Sequence, residues 1–195
     1  MKYLIDNINN YKEEEIDIFL NNIYEKKNIK INKYLNKKDK FRSTLGEILL
    51  SKLIDNYDSL EFYTNKYGKP YIKNKNIFFN ISHSFDYVIC AISNKEIGVD
   101  IEKVRNANIS VIKRFATKKE KTYILSSKEG LMDRLFQIYT LKEAYFKCKG
   151  VNLKSMLKVE FTINNNEVTC SDKSVDIRFI SDVEGYYIAL CEEKK

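Results

Sequence analysis

The chain has 195 residues, 44% of them hydrophobic, which is enough to bury a core as one large domain or two small lobes and too apolar for a disordered segment. Its 34 Lys and Arg against 27 Asp and Glu give a formal charge of +7, which favours an acidic macromolecule or a phosphate-rich ligand without choosing between them. Four cysteines, Cys90, Cys148, Cys170 and Cys191, lack metal-type C-x-x-C spacing, and three of them lie in apolar stretches. They read as reduced thiols, so a cytoplasmic location is expected. Met1 to Asn10 already contains Asp6 and no long apolar run, so neither a signal peptide nor a membrane span is expected there.

In chain order, Met1 to Ile5 reads as a strand and Glu13 to Tyr24 as a helix, followed by a basic stretch from Lys26 to Arg42. Phe41, Leu45, Ile48, Leu49 and Leu53 recur at helical spacing, predicting a long amphipathic helix to about Asp55. Strands are predicted at Leu60 to Thr64, Ile77 to Ile81 and Tyr87 to Ser93, with the single proline, Pro70, in a turn. The second half opens with a strand at Ile97 to Ile101 and continues through helices at Ile109 to Ala116 and Lys118 to Leu125. Leu131, Leu135, Ile138, Tyr145 and Cys148 then share a helical stripe that Gly150 ends. Strands at Val159 to Ile163, Glu167 to Thr169, Val175 to Ile180 and Tyr186 to Leu190 are expected to form a closing meander, with Asn164 to Asn166 as a turn. Helices followed by antiparallel strands in each half predict an α+β fold of two similar lobes, residues 1–94 and 95–195, with the seam near Asn94.

The chemistry gathers in a few words of this text. Asp100 and Glu102 alternate with apolar Val99 and Ile101, as on a half-buried strand, which would put both carboxylates on one face roughly 7 Å apart at about 3.4 Å per residue. Glu143 and Lys147 are four apart on the predicted helix and therefore neighbours. His83 is the only histidine in the chain. Taken singly, each motif has a plain structural reading: a solvated strand, a surface ion pair, a core imidazole, a turn at Tyr67 to Pro70. Their joint order does not.

Asn80-Ile81-Ser82-His83-Ser84, Gly98-Val99-Asp100-Ile101-Glu102 and Leu141-Lys142-Glu143-Ala144-Tyr145-Phe146-Lys147 resemble, in order and spacing, the motifs of the 4'-phosphopantetheinyl transferases, most nearly the long, surfactin-synthetase-activating (Sfp-like) type. The likeness runs over roughly residues 20 to 150. It implies a pseudo-dimer of two α+β lobes with the site between them. It also implies transfer of the phosphopantetheine arm of coenzyme A to a serine of an apo carrier protein, releasing 3',5'-ADP. Magnesium, or manganese in its place, would be held by Asp100, Glu102 and Glu143, since three carboxylates facing a diphosphate require a cation by the sign of their charges. Glu143 would be the base that activates the serine, with Glu120 the second choice, and Lys147 would stabilise the departing phosphate. Lys69, Ser82 and His83 would hold the diphosphate and adenosine end, and Lys27, Lys30 and Arg42 the 3'-phosphate. Ser43, Tyr67, Gly68 and Pro70 would line the adenine.

The partner implied is an acidic acyl or peptidyl carrier protein, with no nucleic acid and no membrane, and the enzyme itself is expected to be a monomer. Two departures stand out: Tyr139 where long-form members carry tryptophan, expected to alter packing rather than chemistry, and an end soon after the last predicted strand. A metal-dependent nuclease is the alternative enzyme, but its lysine would follow the acid by two residues on a strand, not by four on a helix. A non-enzymatic basic nucleic-acid-binding module is the other alternative, and the separated basic patches suit it poorly.

Overall fold

The computed structural model describes residues 1–19, 36–151, 157–165 and 167–194. Strand β1 (Lys2–Asn7) leads to helix α1, described over residues 13–19, and to α2 (Lys37–Leu53). A small hairpin, β2 (Phe62–Thr64) and β3 (Pro70–Ile72), precedes β4 (Phe78–Ser84) and β5 (Tyr87–Ser93). The second half repeats the plan. It runs β6 (Ile97–Lys103), α3 (Ile112–Phe115), α4 (Lys118–Ile124), α5 (Leu131–Lys149), the hairpin β7 (Phe161–Asn164) and β8 (Glu167–Cys170), then β9 (Val175–Ile180) and β10 (Tyr186–Glu193).

The duplication is topological. In each half the last strand sits centrally between the first and the penultimate, giving the sheets β1-β5-β4 and β6-β10-β9, all antiparallel, with the hairpins β2-β3 and β7-β8 standing apart. The closing meander is therefore corrected: β7 and β8 pair only with each other, while β9 and β10 join β6. Pro70, expected only in a turn, begins β3, where its missing N–H is tolerated because β3 has a single ladder partner. The long helix starts at Lys37, earlier than its apolar stripe, because Asn36 caps it by accepting the Lys38 N–H.

Alternation along the central strands builds the layers. On β5, Val88 and Cys90 face α2 while Ile89 and Ala91 face the other sheet. On β6 and β10, Val99, Ile101, Ile188 and Leu190 fill the space between the sheets, and Ala189 and Cys191 turn to α5. The order is α2, sheet, sheet, α5, so the inner strands are covered on both faces and read as apolar runs. The face of β6 that looks at α5 carries Gly98, Asp100 and Glu102. A Cβ on Gly98 would lie 2.1 Å from the Ala144 carbonyl and 2.2 Å from the Cys148 nitrogen, so only glycine lets the strand and α5 come this close. Gly150, with φ +57°, ends α5 in the left-handed region that glycine adopts at no steric cost.

Where the two halves meet, β4 and β6 run side by side without a backbone ladder. Alternate β4 residues supply the seam. Asn80 Oδ1 accepts the Val99 N–H (2.8 Å), Ser82 Oγ donates to Asp100 Oδ1 (2.8 Å), and Ser84 Oγ donates to Glu102 Oε2 (3.1 Å) while accepting the Lys103 N–H (3.2 Å). Residues two apart on a strand share a face, so Asn80, Ser82 and Ser84 turn one polar edge to the acids of the second half.

Candidate active site

Asp100 is the centre of the seam. It is 3% exposed, and its Oδ1 accepts from Ser82 Oγ and from Lys147 Nζ at 2.6 Å, while Oδ2 is buried with no partner among the described residues. A buried carboxylate oxygen left unpaired costs roughly 1–3 kcal/mol or more, which marks it as held for something else. Lys147 comes from α5, one turn beyond Glu143, and its other bond is to Ser82 Oγ (2.9 Å). The lysine thus turns to Asp100 rather than pairing with Glu143 four residues back.

Glu102 and Glu143 complete the acidic group. Burial pushes the Glu102 carboxyl above its ordinary range and the Asp100 charge adds to it, against the pull of Arg105, whose Nη1 donates to Oε2 at 3.2 Å. Glu143 is raised in the same way, first by burial and then by Asp100, with Lys147 opposing. Tyr139 lies one turn before Glu143 on α5 and is itself pushed upward by burial and by the Glu143 charge. The Tyr139 ring meets Phe115 edge-on at 5.2 Å, a packing role beside the acidic group.

Arg42 and His83 of the first half lie near one another at β4. Arg42, on α2, donates to the Phe85 carbonyl (2.8 Å) and to Asp39, and its Nε is buried without a partner among the described residues. His83 lies at the solvent surface on the opposite side of β4 from Ser82. Partial desolvation, then the Arg42 and Lys147 charges, hold it below the ordinary imidazole value. Lys27 and Lys30 lie outside the described residues. Ser43 sits partly buried on α2, one residue beyond Arg42.

Between the halves runs a cavity of about 270 Å³. Tyr67, Gly68, Lys69, Pro70 and Asn80 line one side, and Glu143, Phe146, Lys147, Gly150 and Val151 the other. The turn expected to meet adenine and the helix expected to meet the diphosphate thus share one hollow.

Three expected roles need revision. Lys69 is spoken for. Its ammonium is buried and donates to Glu96 Oε2 (2.5 Å), the Ile97 carbonyl (3.0 Å) and the Cys148 carbonyl (2.7 Å), which uses all three of its protons. It works as a strut from the β2–β3 turn to β6 and the C-terminal end of α5, where a cation is favourable. Ser82 spends its one proton on Asp100 and so buttresses the acid and Lys147 instead of offering a donor to phosphate. Glu120 is 1% exposed and closes the capping box of α4: Oε2 accepts the Thr117 N–H and pairs with buried Lys142 at 2.9 Å, and Oε1 accepts the Phe161 N–H. Both of its oxygens are engaged inside the second lobe, so it serves as a structural acid.

Sequence reasoning gave no site role to Ser84, Arg105 or Tyr139. The alternation Asn80, Ser82, Ser84 was a legible signal for the first. The other two depend on how α5 and the loop after β6 fold back. The four cysteines are free and buried, and among the described residues no helix is long and apolar enough to cross a membrane. Lys147 on a helix, four residues after its acid, gives no support to the nuclease alternative.

Two family models match end to end: residues 10–95 fit the description "4'-phosphopantetheinyl transferase, N-terminal" and residues 96–191 "4'-phosphopantetheinyl transferase superfamily". Among curated proteins, the 4'-phosphopantetheinyl transferase gsp of Aneurinibacillus migulanus is 33% identical over 152 residues, which is 75% of this chain and 63% of that protein. The match therefore spans less than two thirds of that relative's length. The 4'-phosphopantetheinyl transferase Sfp of Bacillus subtilis is 29% identical over 197 residues, covering 92% of this chain and 86% of its own. Among solved structures, the holo-[acyl-carrier-protein] synthase of Thermotoga maritima is similar over 51% of this chain and 64% of its own, at 24% identity and a TM-score of 0.42.

Proposed function

The chain belongs to the 4'-phosphopantetheinyl transferase superfamily, and we propose on that premise that it moves the phosphopantetheine arm of coenzyme A onto a serine hydroxyl of an apo carrier protein. The observation that supports this best is the shared hollow, with the Tyr67–Pro70 turn on one wall and Glu143 and Lys147 on the other. A nucleotide end and a reacting diphosphate need such a continuous channel. Residues 1–94 would then hold the cofactor's anionic end and residues 95–195 the acids.

The donor set fits a hard divalent cation. Asp100, Glu102 and Glu143 offer carboxylate oxygens, and the orphaned Asp100 Oδ2 is the one waiting for a partner. Among the described residues no three acids, histidines or cysteines stand together at ligand spacing, so these carboxylates would have to draw in around the cation, with phosphate oxygens and water taking its remaining positions. When bound, the cation supplies positive charge against the diphosphate and polarises the phosphorus under attack. The residues do the rest. Glu143 accepts the serine proton as the serine oxygen bonds to the pantetheine-bearing phosphorus. The bond from that phosphorus to the bridging oxygen breaks, and Lys147 offsets the charge left on 3',5'-ADP. Arg42 and His83 bind the cofactor's remaining phosphate charge.

Mass spectrometry of intact apo carriers after incubation with coenzyme A and magnesium tests the reading. One phosphopantetheine per carrier serine is expected, and carriers that stay unmodified would defeat it. An acidic carrier, a cytoplasmic site and a monomeric enzyme belong to the same proposal, supported by the +7 charge and the free thiols.

The acids also set a pH dependence. Glu102 and Glu143 both titrate above their ordinary value of 4.5 in the fold, so the native state holds protons more tightly than the unfolded chain. Their contribution to stability is therefore present below that value and is lost as pH rises through the raised native values. A cation reverses this by favouring the ionised forms. Melting with and without magnesium should show a stabilisation that is small near pH 4.5 and grows toward neutrality, with protons released on binding. A magnesium effect that is flat with pH would count against these carboxylates as ligands.

A further inference from the structure

The turn between β4 and β5 carries a feature that the transfer chemistry leaves unused. Phe85 has φ +54°, a left-handed conformation that is a genuine outlier for a bulky residue, and its side chain is nevertheless 45% exposed. Neither burial nor an easy backbone explains a phenylalanine there. Arg42 clamps the turn through the Phe85 carbonyl (2.8 Å). The ring is flanked by two cations, Lys103 Nζ at 4.8 Å from its centroid and the Arg105 guanidinium at 5.5 Å. Arg105 also donates to Glu102, and Ser84, next to Phe85, donates to the same carboxylate. The ring therefore stands on the rim of the acidic cleft, one residue from a side chain that holds its wall.

We propose that Phe85, with Lys103 beside it, is a docking residue for the acceptor carrier protein, meeting an acidic helix face with an apolar residue among its carboxylates. This rests on the transferase reading. An acceptor serine on a folded partner must reach Glu143, so the partner has to cover the rim that adjoins Glu102. The charges at this rim pair off in a way that leaves one cation over. Asp39 takes Arg42, Asp86 takes Lys38 at 3.5 Å and Glu102 takes Arg105, while Lys103 makes no ion pair among the described residues. Its ammonium lies over Phe85 and, at 5.8 Å, over Tyr186. An unpaired cation beside an exposed ring complements a carboxylate beside an apolar side chain, the kind of anchor that carries binding energy at protein interfaces.

The test is Phe85→Gly, because glycine adopts this backbone freely and the variant should fold at least as well as the parent. Steady-state transfer from coenzyme A to an apo carrier should show KM for the carrier raised about tenfold or more, with kcat and KM for coenzyme A unchanged and the melting temperature equal or higher. In a Lys103→Gln variant the rise of carrier KM with salt should be shallower than in the parent. An unchanged carrier KM in Phe85→Gly would overturn the proposal, and so would a rise confined to coenzyme A, which would place the ring on the cofactor. A parent chain that loads no carrier at all defeats the transferase reading itself, and that failure is visible before any variant is compared.

Discussion

Asp100→Asn should reduce transfer on the order of a thousandfold or more while leaving the fold nearly as stable as before. The two halves of this expectation come from the same carboxylate. Asp100 Oδ1 holds Lys147 and Ser82, and Oδ2 is the buried oxygen without a partner. An amide keeps the shape, removes the charge, and turns either an NH₂ or a neutral carbonyl toward any cation, so the strongest oxygen donor of the set is lost. Stability behaves differently because Asp100 is also a source of repulsion: its charge helps raise both Glu102 and Glu143. Removing it relieves that repulsion and weakens the Lys147 pair, and Lys147 is 28% exposed and can turn to solvent. Opposing effects of about 1–2 kcal/mol each should nearly cancel. Carrier loading followed by intact mass, together with urea denaturation, reads both quantities. A variant that retains transfer within a few-fold of the parent would remove Asp100 from the reacting group. One that is inactive only because it is unfolded would show that the carboxylate is structural.

Such a separation of activity from stability is what an active site assembled at a seam should give, and much of that seam was readable in advance. The alternation of Val99 and Ile101 with Asp100 and Glu102 announced a strand with an apolar and an acidic face. The structure places the first pair between the sheets and the second under α5. The Leu131–Lys149 helix and its Gly150 stop followed from apolar spacing, and Glu143 and Lys147 do share a face of it. What remained hidden depends on contacts between segments far apart in sequence. Lys69 read as a phosphate ligand because its turn carried the resemblance; nothing in the sequence says that the Cys148 carbonyl, in the last turn of α5, lies in reach of its ammonium. Glu120 read as a spare base although Thr117 and Glu120 form a local capping box, because the partners that take up the rest of its carboxylate, Lys142 and Phe161, lie 22 and 41 residues away in sequence. The closing strands were found individually, yet their grouping was not, since pairing β10 with β6 is a choice that local propensity cannot express.

Gly98→Ala tests the contact that brings the acids to the helix, and it should destabilise the protein by more than about 3 kcal/mol. The glycine has ordinary extended backbone, so the cost is not conformational. It is spatial. A methyl group would sit 2.1 Å from the Ala144 carbonyl oxygen, 2.2 Å from the Cys148 nitrogen and 2.8 Å from its Cα, all backbone atoms of α5 that cannot rotate away as a side chain would. The helix must lift or the strand must bend. Cys191 lies opposite Gly98 on β10 and is fully buried, as Cys148 is, so the layer beneath cannot yield without opening the core. Lifting α5 carries Glu143 and Lys147 with it, away from Asp100 two residues along β6, and a displacement of about 1 Å in a reacting group can cost on the order of a hundredfold in rate. The variant is therefore expected to lose activity even at temperatures where it remains folded, with a lower urea midpoint and an unchanged denaturant slope. A midpoint equal to that of the parent would mean that α5 does not rest on Gly98. The geometry that sets Lys147 2.6 Å from Asp100 would then need another cause.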